Sequence, residues 1–584
     1  MVSHAHIPSG DKPGTSMRHS GAAANDVIIG RFNRGEVGVN DVLRVTTACI
    51  KKLGADHVGA RACLEALQRC RHPRTGQTVF PDTINYSAAI WSCEKAARSD
   101  EALALFAQLE QIGPAYGVFP NTITYNAVIS ACEKVARADD ALALFAHLQQ
   151  HGPARGVFPD TITYGAAISA CGKAARVDDA LALFTHLEQH GPARGVFHNT
   201  ITYNAAISAC GKAGRVSDAL GLFAHIEQHG PARGVFPDTI TYNAAISACE
   251  KAARADDALA LFAHLEQHGR ARCVLPDTIT YNAAISACEK AARADDALAL
   301  FAHLQRHGVA QGIFPNTITY SAAISACEKA ARADDALALF AHLQQYGPAR
   351  GVFPNTITYS AAISACEKAA RADDALALFA HLQQYGPARG VFPNTITYSA
   401  AISACEKANR PDDALQLFAH LCQYGVIIGV FPNAITYNAA ISACERANRT
   451  EEMVRLLNDG ITAGIFQPSL GFSKGQNKLD LHENAVLTAA TNKSSRPAGV
   501  HPALARAIFH YLLKQGVIGE TTCFVVGQHG QASLLTAIGA CMRQQGWIPV
   551  HPRDSQGRRN RGVLAVASAS MHTDGTRAGA SNFP

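Results

Sequence analysis

Apolar and polar residues recur with a fixed period along most of this chain. The period can be read from a series of evenly spaced tyrosines, one in each copy of the pattern. The series consists of Tyr86, Tyr125, Tyr164, Tyr203, Tyr242, Tyr281, Tyr320, Tyr359, Tyr398 and Tyr437. One period, residues 356–394, is TITYSAAISACEKAARADDALALFAHLQQYGPARGVFPN. A fixed period of this length is typical of repeat proteins, in which each repeat packs only against its neighbours. We expect ten repeats over residues 83–469, numbered 1 to 10 in chain order.

Each repeat is predicted to form two antiparallel helices. In residues 356–394 the first apolar stripe has members three or four residues apart: Tyr359, Ile363, Cys366 and Ala370. A turn is expected at Arg371-Ala372, followed by carboxylates suited to a helix N-terminus at Asp373-Asp374. The second stripe consists of Ala375, Leu378, Phe379 and Leu382, and Gly386-Pro387 ends that helix. Because neither helix can bury its stripe alone, the repeats must stack.

The predicted fold is therefore all-α, a right-handed α-solenoid of two-helix repeats, followed by a small α/β C-terminal domain. Residues 1–40 are expected to be disordered or a targeting region, and residues 41–82 a degenerate first repeat or cap. Residues 470–567 show a β-α-β-α-β pattern, with strands at 479–482, 522–526 and 560–566 and helices at 502–515 and 533–545. Residues 568–584 are small and polar, and we expect them to be disordered.

Composition agrees with a folded protein and permits a polyanionic partner. Hydrophobic residues make up 48% of the chain and charged residues 17%, with a net charge of +5. We expect no membrane contact, because no apolar run is long enough to span a bilayer. Ten of the 17 cysteines recur with the same period as the tyrosines, which creates no CxxC pair and no metal-ligand spacing. They are predicted to be buried thiols in a reducing compartment.

The first helix carries a second, polar ridge at positions i, i+4 and i+8, which share one face. In repeat 8 it consists of Ser360, Ser364 and Lys368. Stacking would align ten cations: Lys95, Lys134, Lys173, Lys212, Lys251, Lys290, Lys329, Lys368, Lys407 and Arg446. A row of cations suits the phosphates of single-stranded nucleic acid, and Asn and Ser can bond to base edges. A solvated helix face is the alternative interpretation.

The string TITYNAAISACEKAARADDALALF resembles the pentatricopeptide repeat, which defines an organellar RNA-binding family. The resemblance implies a monomer that binds single-stranded RNA, in mitochondrion or plastid, and reads one base per repeat with two residues. These are the first ridge residue and the last residue of the repeat. The implied pairs are Ser87 with Asn121, Asn126 with Asp160, Gly165 with Asn199, Asn204 with Asp238, Asn243 with Asp277, Asn282 with Asn316, Ser321 with Asn355, Ser360 with Asn394, Ser399 with Asn433, and Asn438 with Ser469.

The family's pairing preferences imply the target 5′-A-U-any-U-U-Y-A-A-A-Y-3′, where Y is a pyrimidine. The family's usual repeat is shorter than the repeat of this chain. The additional residues, around 387–390 in repeat 8, fall in the loop beside the second reading position. They are expected to shift the spacing of the bases or to add a phosphate contact through Arg389.

The C-terminal segment resembles an Smr (small MutS-related) domain. Leu479-Asp480-Leu481-His482 matches the first motif of that domain. The glycine loop of the second motif is represented by Gly527 and Gly530, without the usual Thr and with one additional residue. The resemblance implies a nuclease in which Asp480 and His482 bind a divalent metal or activate water. The alternative is that both residues only orient a strand beside bound RNA.

Three functions remain open on the sequence alone. The leading one is sequence-selective RNA binding in organellar RNA processing, stability or translation. The second is an RNA or DNA endonuclease, with the repeats as the address and the C-terminal segment as the cutting domain. The third is a protein-interaction scaffold, as in solenoids of the tetratricopeptide type.

Overall fold

The computed structural model describes residues 14–71, 79–466, 478–480, 502–514, 523–525, 532–545, 548–550 and 563–567. The chain forms two compact bodies, residues 1–291 and residues 292–584. Four predicted site residues lie outside the described residues: Ser469, His482, Gly527 and Gly530. The same holds for the predicted disordered segment 568–584 and for residues 1–13.

The first helix of each repeat begins directly after an Asn or Asp that caps it. In the first body these helices are Thr83–Lys95, Thr122–Lys134, Thr161–Lys173, Thr200–Lys212, Thr239–Lys251 and Thr278–Lys290. In the second body they are Thr317–Lys329, Thr356–Lys368, Thr395–Lys407 and Ala434–Arg446. The capping side chain accepts a hydrogen bond from the backbone of the third helical residue, which is worth about 1 kcal/mol per helix.

The second helices follow after a three-residue turn. They are Ser99–Ile112, Ala138–His151, Val177–His190, Val216–His229 and Ala255–His268 in the first body. In the second body they are Ala294–His303, Ala333–Tyr346, Ala372–Tyr385, Pro411–Ile428 and Thr450–Thr462. Within each body, consecutive first helices pack against each other and first helices pack against the second helices of their repeats, so each body contains a stack of helix pairs, as predicted.

The turn between the two helices differs from the prediction. In repeat 8 the first helix ends at Lys368, and Ala370 has a left-handed backbone with φ of 54°. The backbone N–H of Arg371 donates to the carbonyl oxygen of Cys366 at 2.8 Å, which closes the helix end. Ala370 therefore belongs to the turn and not to the apolar stripe, and Ala372 is the first residue of the next helix. Repeat 4 has Gly214 at this position, which adopts the same conformation without strain.

Among the described residues before repeat 1 are three helices, Gly14–Asn33, Val39–Leu53 and His57–Gln68. Val39–Leu53 packs against the first helix of repeat 1. Beyond repeat 10 are the helices Pro502–Lys514 and Ala532–Gln544 and the strands Lys478–Asp480, Cys523–Val525, Ile548–Val550 and Val563–Ala567. In the sheet, the strands lie in the order Lys478–Asp480, Cys523–Val525, Val563–Ala567, Ile548–Val550. The first two of these strands pair in parallel, and the other two pairs of neighbours are antiparallel. The strand at Ile548–Val550 was not predicted.

The core of each body is built from the two predicted stripes. In repeat 8, Tyr359, Ile363, Cys366, Phe379 and Leu382 are all buried. The ten recurring cysteines are buried free thiols, so their structural role is confirmed. Burial raises the pKa of the Cys366 thiol to about 11, which keeps it protonated and unreactive. None of the described helices combines the length and the apolar character needed to cross a membrane.

A polar connection links neighbouring repeats behind the tyrosines. The hydroxyl of Tyr359 lies 2.7 Å from Nδ1 of His381 in the second helix of the same repeat. Nε2 of His381 lies 2.9 Å from the side-chain nitrogen of Gln344 in the preceding repeat. Burial raises the pKa of Tyr359 to about 12 and lowers the pKa of His381. Both groups are therefore neutral at physiological pH and act as hydrogen-bonding partners.

Candidate nucleic-acid interface

The residue that ends each of repeats 1 to 9 is held in place by the helix that it caps. In repeat 2 this residue is Asp160, whose Oδ1 accepts from the backbone N–H of Thr163 at 2.9 Å. The backbone N–H of Asp160 in turn donates to the hydroxyl of Thr163 at 3.1 Å. Such a reciprocal capping box recurs at the starts of the first helices. The second predicted reading position is therefore rigid before any ligand binds.

The structure brings the two predicted reading residues together, although they are 34 residues apart in sequence. The side-chain amide of Asn126 donates to both carboxylate oxygens of Asp160, at 3.0 and 3.1 Å. The amides of Asn204 and Asn243 each donate to one carboxylate oxygen, Oδ1 of Asp238 and Oδ1 of Asp277, at 3.1 Å. Each Asn and Asp side chain has further lone pairs or N–H groups that this contact does not use, and the contact fixes their arrangement.

Repeats with serine at the ridge have a different local pattern. The hydroxyl of Ser87 lies 2.8 Å from the hydroxyl of Thr124, and that of Ser321 lies 2.9 Å from the hydroxyl of Thr358. Ser360 instead donates to the carbonyl oxygen of Thr356 at 2.8 Å. Serine is shorter than asparagine and bonds to a threonine or to its own helix backbone. The first ridge residue thus has different hydrogen-bond partners in the Asn and Ser repeats, and Ser87, Asn243, Ser321 and Ser360 are each buried.

Ten exposed isoleucines border the reading pairs, and the sequence analysis missed them. They follow the first helical residue of each repeat and are 57% to 67% exposed: Ile84, Ile123, Ile162, Ile201, Ile240, Ile279, Ile318, Ile357, Ile396 and Ile435. The sequence does indicate their exposure, because each isoleucine lies two residues before the buried tyrosine and therefore outside the apolar stripe of the first helix. A regular row of large exposed apolar side chains marks a binding surface.

Isoleucines and reading residues of consecutive repeats line the same cavities. A cavity of about 330 Å³ is bordered by Ile240 and Ile279, by Asn204 and Asn243, and by Asp277. A larger cavity of about 640 Å³ lies at repeats 1 and 2 and has a predominantly apolar lining. Each combines flat apolar walls with a few hydrogen-bonding groups, which suits the faces and edges of a planar heterocycle.

Most of the predicted row of cations is ion-paired, which the sequence analysis did not foresee. Each of these cations pairs with a glutamate of the preceding repeat, the one directly before the cation of that repeat. The pairs are Lys134 with Glu94 at 2.8 Å, Lys173 with Glu133 at 2.9 Å, Lys290 with Glu250 at 2.9 Å, Lys368 with Glu328 at 2.6 Å, Lys407 with Glu367 at 2.7 Å and Arg446 with Glu406 at 3.1 Å. The glutamates reduce the positive charge of this surface. A phosphate at these positions has to compete with a carboxylate.

In two repeats of the first body, glycine replaces the glutamate that would pair with the lysine of the next repeat. Repeats 3 and 4 have Gly172 and Gly211 at the glutamate position. Lys212 and Lys251, which would face those positions, have no ion pair among the residues that the structure describes. Both border the cavity of about 330 Å³. Among the residues that the structure describes, the ridge of the first body therefore has lysines without an ion pair in repeats 4 and 5, and also in repeat 1 at Lys95.

Models of the pentatricopeptide repeat match most of the repeated region. The model described as "PPR repeat" matches residues 162–192, 201–231, 318–348, 357–387 and 435–465. The "Pentatricopeptide repeat domain" matches 114–174, 225–291 and 383–446, and the "PPR repeat family" matches 276–329. Together they cover more than half of the 584 residues. This chain belongs to the pentatricopeptide repeat family.

Solved structures are similar to this pentatricopeptide repeat protein at low identity. The crystal structure of PPR10 from maize is 17% identical, with a TM-score of 0.38, and the match covers 78% of this chain and 69% of that one. Yeast Rmd9p in complex with a 16-nucleotide target RNA is 12% identical, with a TM-score of 0.33 and coverage of 72% and 93%. A comparison with curated proteins found no match.

In repeats 2 to 5, 7 and 8 of this pentatricopeptide repeat protein, the additional residues form a short 3-10 turn that ends in arginine. Examples are Pro192–Arg194 and Pro387–Arg389. The arginine does not project freely from the loop. The guanidinium of Arg194 lies 4.4 Å from the ring centroid of Phe158 in the preceding loop, and that of Arg389 lies 4.1 Å from Phe353. These contacts connect adjacent loops, so the arginines have a structural partner in addition to the phosphate contact that we expected.

Proposed function

We propose that this protein binds single-stranded RNA along the surface of its first helices, with one nucleotide at each repeat. The observation that carries the proposal is the direct contact between the two reading residues, beside an exposed isoleucine, in repeats 2, 4 and 5. The isoleucines offer apolar walls to the faces of a base. The paired Asn and Asp side chains, or the paired Ser and Asn side chains, offer hydrogen bonds to its edge.

Several of the similar solved structures contain RNA. PPR10 has been crystallised with an 18-nucleotide psaJ RNA element, and Rmd9p forms a complex with a 16-nucleotide target RNA. The proposed target of this chain is 5′-A-U-any-U-U-Y-A-A-A-Y-3′. The proposed role is in the processing, stability or translation of an organellar transcript.

The test compares the proposed ten-nucleotide RNA with a scrambled RNA of the same composition and with the DNA of the same sequence. Tighter binding of the first RNA supports both the function and the register. Equal affinities for the two RNAs refute the register and leave RNA binding in place. No binding of either RNA refutes the function and favours a scaffold for peptides. Light scattering of the free protein tests the proposed monomer, and imaging of the tagged protein in cells tests the organelle.

We also propose that the C-terminal segment is an Smr-like α/β domain. Two observations support this proposal. The strands Lys478–Asp480 and Cys523–Val525 pair in parallel. The helix Pro502–Lys514 lies between them in the chain, and the helix Ala532–Gln544 follows the second strand. Arg506 of the helix Pro502–Lys514 pairs with Glu445 of repeat 10 at 2.9 Å, which attaches the segment to the last repeat. Cleavage of bound RNA that requires Mg²⁺ and is lost in Asp480→Asn and His482→Ala would support a nuclease. Cleavage that survives both substitutions would exclude these residues as catalysts.

A further inference from the structure

The middle position of the polar ridge differs in one repeat only. Nine repeats have serine there: Ser130, Ser169, Ser208, Ser247, Ser286, Ser325, Ser364, Ser403 and Ser442. Repeat 1 has Trp91, one of the two tryptophans in the chain. Its side chain is 37% exposed, which is unusual for the largest apolar side chain in a protein with a well-packed core. Packing therefore does not account for this tryptophan.

Trp91 borders the cavity of about 640 Å³ in the first body. The isoleucines of repeats 1 to 3, Ile84, Ile123 and Ile162, border the same cavity. The reading residues Ser87 and Asn121 border it as well. The indole therefore lines the same cavity as residues of the proposed RNA surface. It supplies an aromatic face at the position where the other nine repeats have a serine hydroxyl.

The charges around this cavity favour a polyanion. The ammonium group of Lys95 lies 5.1 Å from the centroid of the indole, and Lys51 borders the cavity. Neither lysine has a carboxylate partner among the residues described. The two acids that border the cavity are already engaged, Glu94 with Lys134 at 2.8 Å and Asp160 with the amide of Asn126 at 3.0 Å. Cations are thus available to phosphates on either side of a base.

We propose that Trp91 is a stacking platform for a nucleobase of single-stranded RNA, in the cavity that also contains Ile84 and Ile123. This inference rests on the proposed RNA-binding function and adds a contact that the two reading residues do not make. Each base has a π-face, so stacking on an indole adds affinity without selecting one base. Repeat 1 therefore anchors one end of the bound strand, and Lys95 and Lys51 attract the adjoining phosphates.

The test uses the full-length chain and a pool of short single-stranded RNAs of random sequence, which does not depend on the register. Trp547→Phe leaves Trp91 as the only tryptophan, so that its fluorescence reports on its surroundings. We expect the emission of Trp91 to be quenched as RNA is added, with the same midpoint as binding measured by filter retention. Trp91→Phe, which retains Trp547, is the matched control and should show no such quenching.

Affinity gives the second measurement. Trp91→Ser installs the residue of the other nine repeats and should weaken binding of the pool roughly 5- to 150-fold. Trp91→Phe retains a smaller ring and should lose less. Val58→Ser, which changes an exposed apolar residue outside this cavity and outside the ridge, should bind with little change. Circular dichroism of each variant checks that the helices are intact.

The outcomes separate this inference from the proposed function. If the wild-type protein does not bind the pool, both fail. If the pool binds, but Trp91 emission stays constant at saturation and Trp91→Ser binds as tightly as the wild type, the stacking platform is refuted and RNA binding stands. That result would assign the cavity to a different class of partner.

Discussion

The uneven pairing of the lysines leads to a quantitative prediction about salt. A lysine that contacts a phosphate releases a counterion, and for single strands each such contact adds roughly −0.7 to the slope of log affinity against log salt concentration. Lys212 and Lys251 have no glutamate opposite them, because Gly172 and Gly211 occupy those positions. Lys212→Gln together with Lys251→Gln should therefore make the slope shallower by about 1.4.

The flanking repeats provide the matched control. Lys173 pairs with Glu133 and Lys290 with Glu250, each at 2.9 Å. These pairs carry no net charge, so replacing all four residues by glutamine removes two lysines without changing the charge of the surface. We expect the slope to stay nearly constant in this variant. Exposed ion pairs contribute about 0.2–1 kcal/mol, so folding should also be nearly unaffected.

A single substitution tests the same reasoning in the opposite direction. Glu133→Gln releases Lys173 from its carboxylate, and the slope should become steeper by about 0.7. Fluorescence anisotropy with a labelled RNA at several potassium chloride concentrations measures all four proteins. A loss of slope in the four-residue variant as large as in the Lys212 and Lys251 variant would refute the argument, since paired and unpaired lysines would then contribute equally.

Three further predictions concern the interface, the loops and pH. Ile279→Ser should weaken RNA binding while the free energy of unfolding changes little, because the side chain is 60% exposed; unchanged affinity would remove the isoleucines from the interface. The contact of Arg194 with Phe158 should couple by about 0.5–1 kcal/mol in a double-mutant cycle of urea unfolding, and additive effects would contradict it. Burial lowers the pKa of His381 in the folded protein, so the unfolded chain binds protons more readily. The free energy of unfolding should be highest above the pKa of the unfolded histidine, about 6.5, and should decrease as the pH falls through that value. The decrease should be smaller in His381→Asn. A free energy of unfolding that does not change with pH in either protein would contradict this reasoning.

The sequence was sufficient to predict the helix pairs and their stacking. The reason is local: Tyr359, Ile363 and Cys366 recur at helical spacing in every repeat, and a repeated stripe can be buried only against its own copies. Within a repeat the prediction was wrong only at the turn. Ala370 continues the helical spacing, yet its backbone is left-handed because Arg371 bonds back to Cys366.

The candidate interface could be predicted only in part. The resemblance identified Asn126 and Asp160 as a pair, and the structure places their side chains in contact at 3.0 Å. The exposure of the isoleucines was missed, since an isoleucine in a helical pattern is usually assigned to the core. The sequence alone does not mark Trp91 as an interface residue, because its exposure and its cavity depend on neighbouring repeats.

Spacing along the chain therefore determined which residues share a helix face, since helical geometry relates positions three and four residues apart. Contacts between repeats were decided by the tertiary structure alone. Lys173 and Glu133 are 40 residues apart and meet only because successive first helices pack side by side. The same packing leaves Lys212 and Lys251 without a carboxylate, because the glycine that removes the partner lies one repeat earlier in the chain.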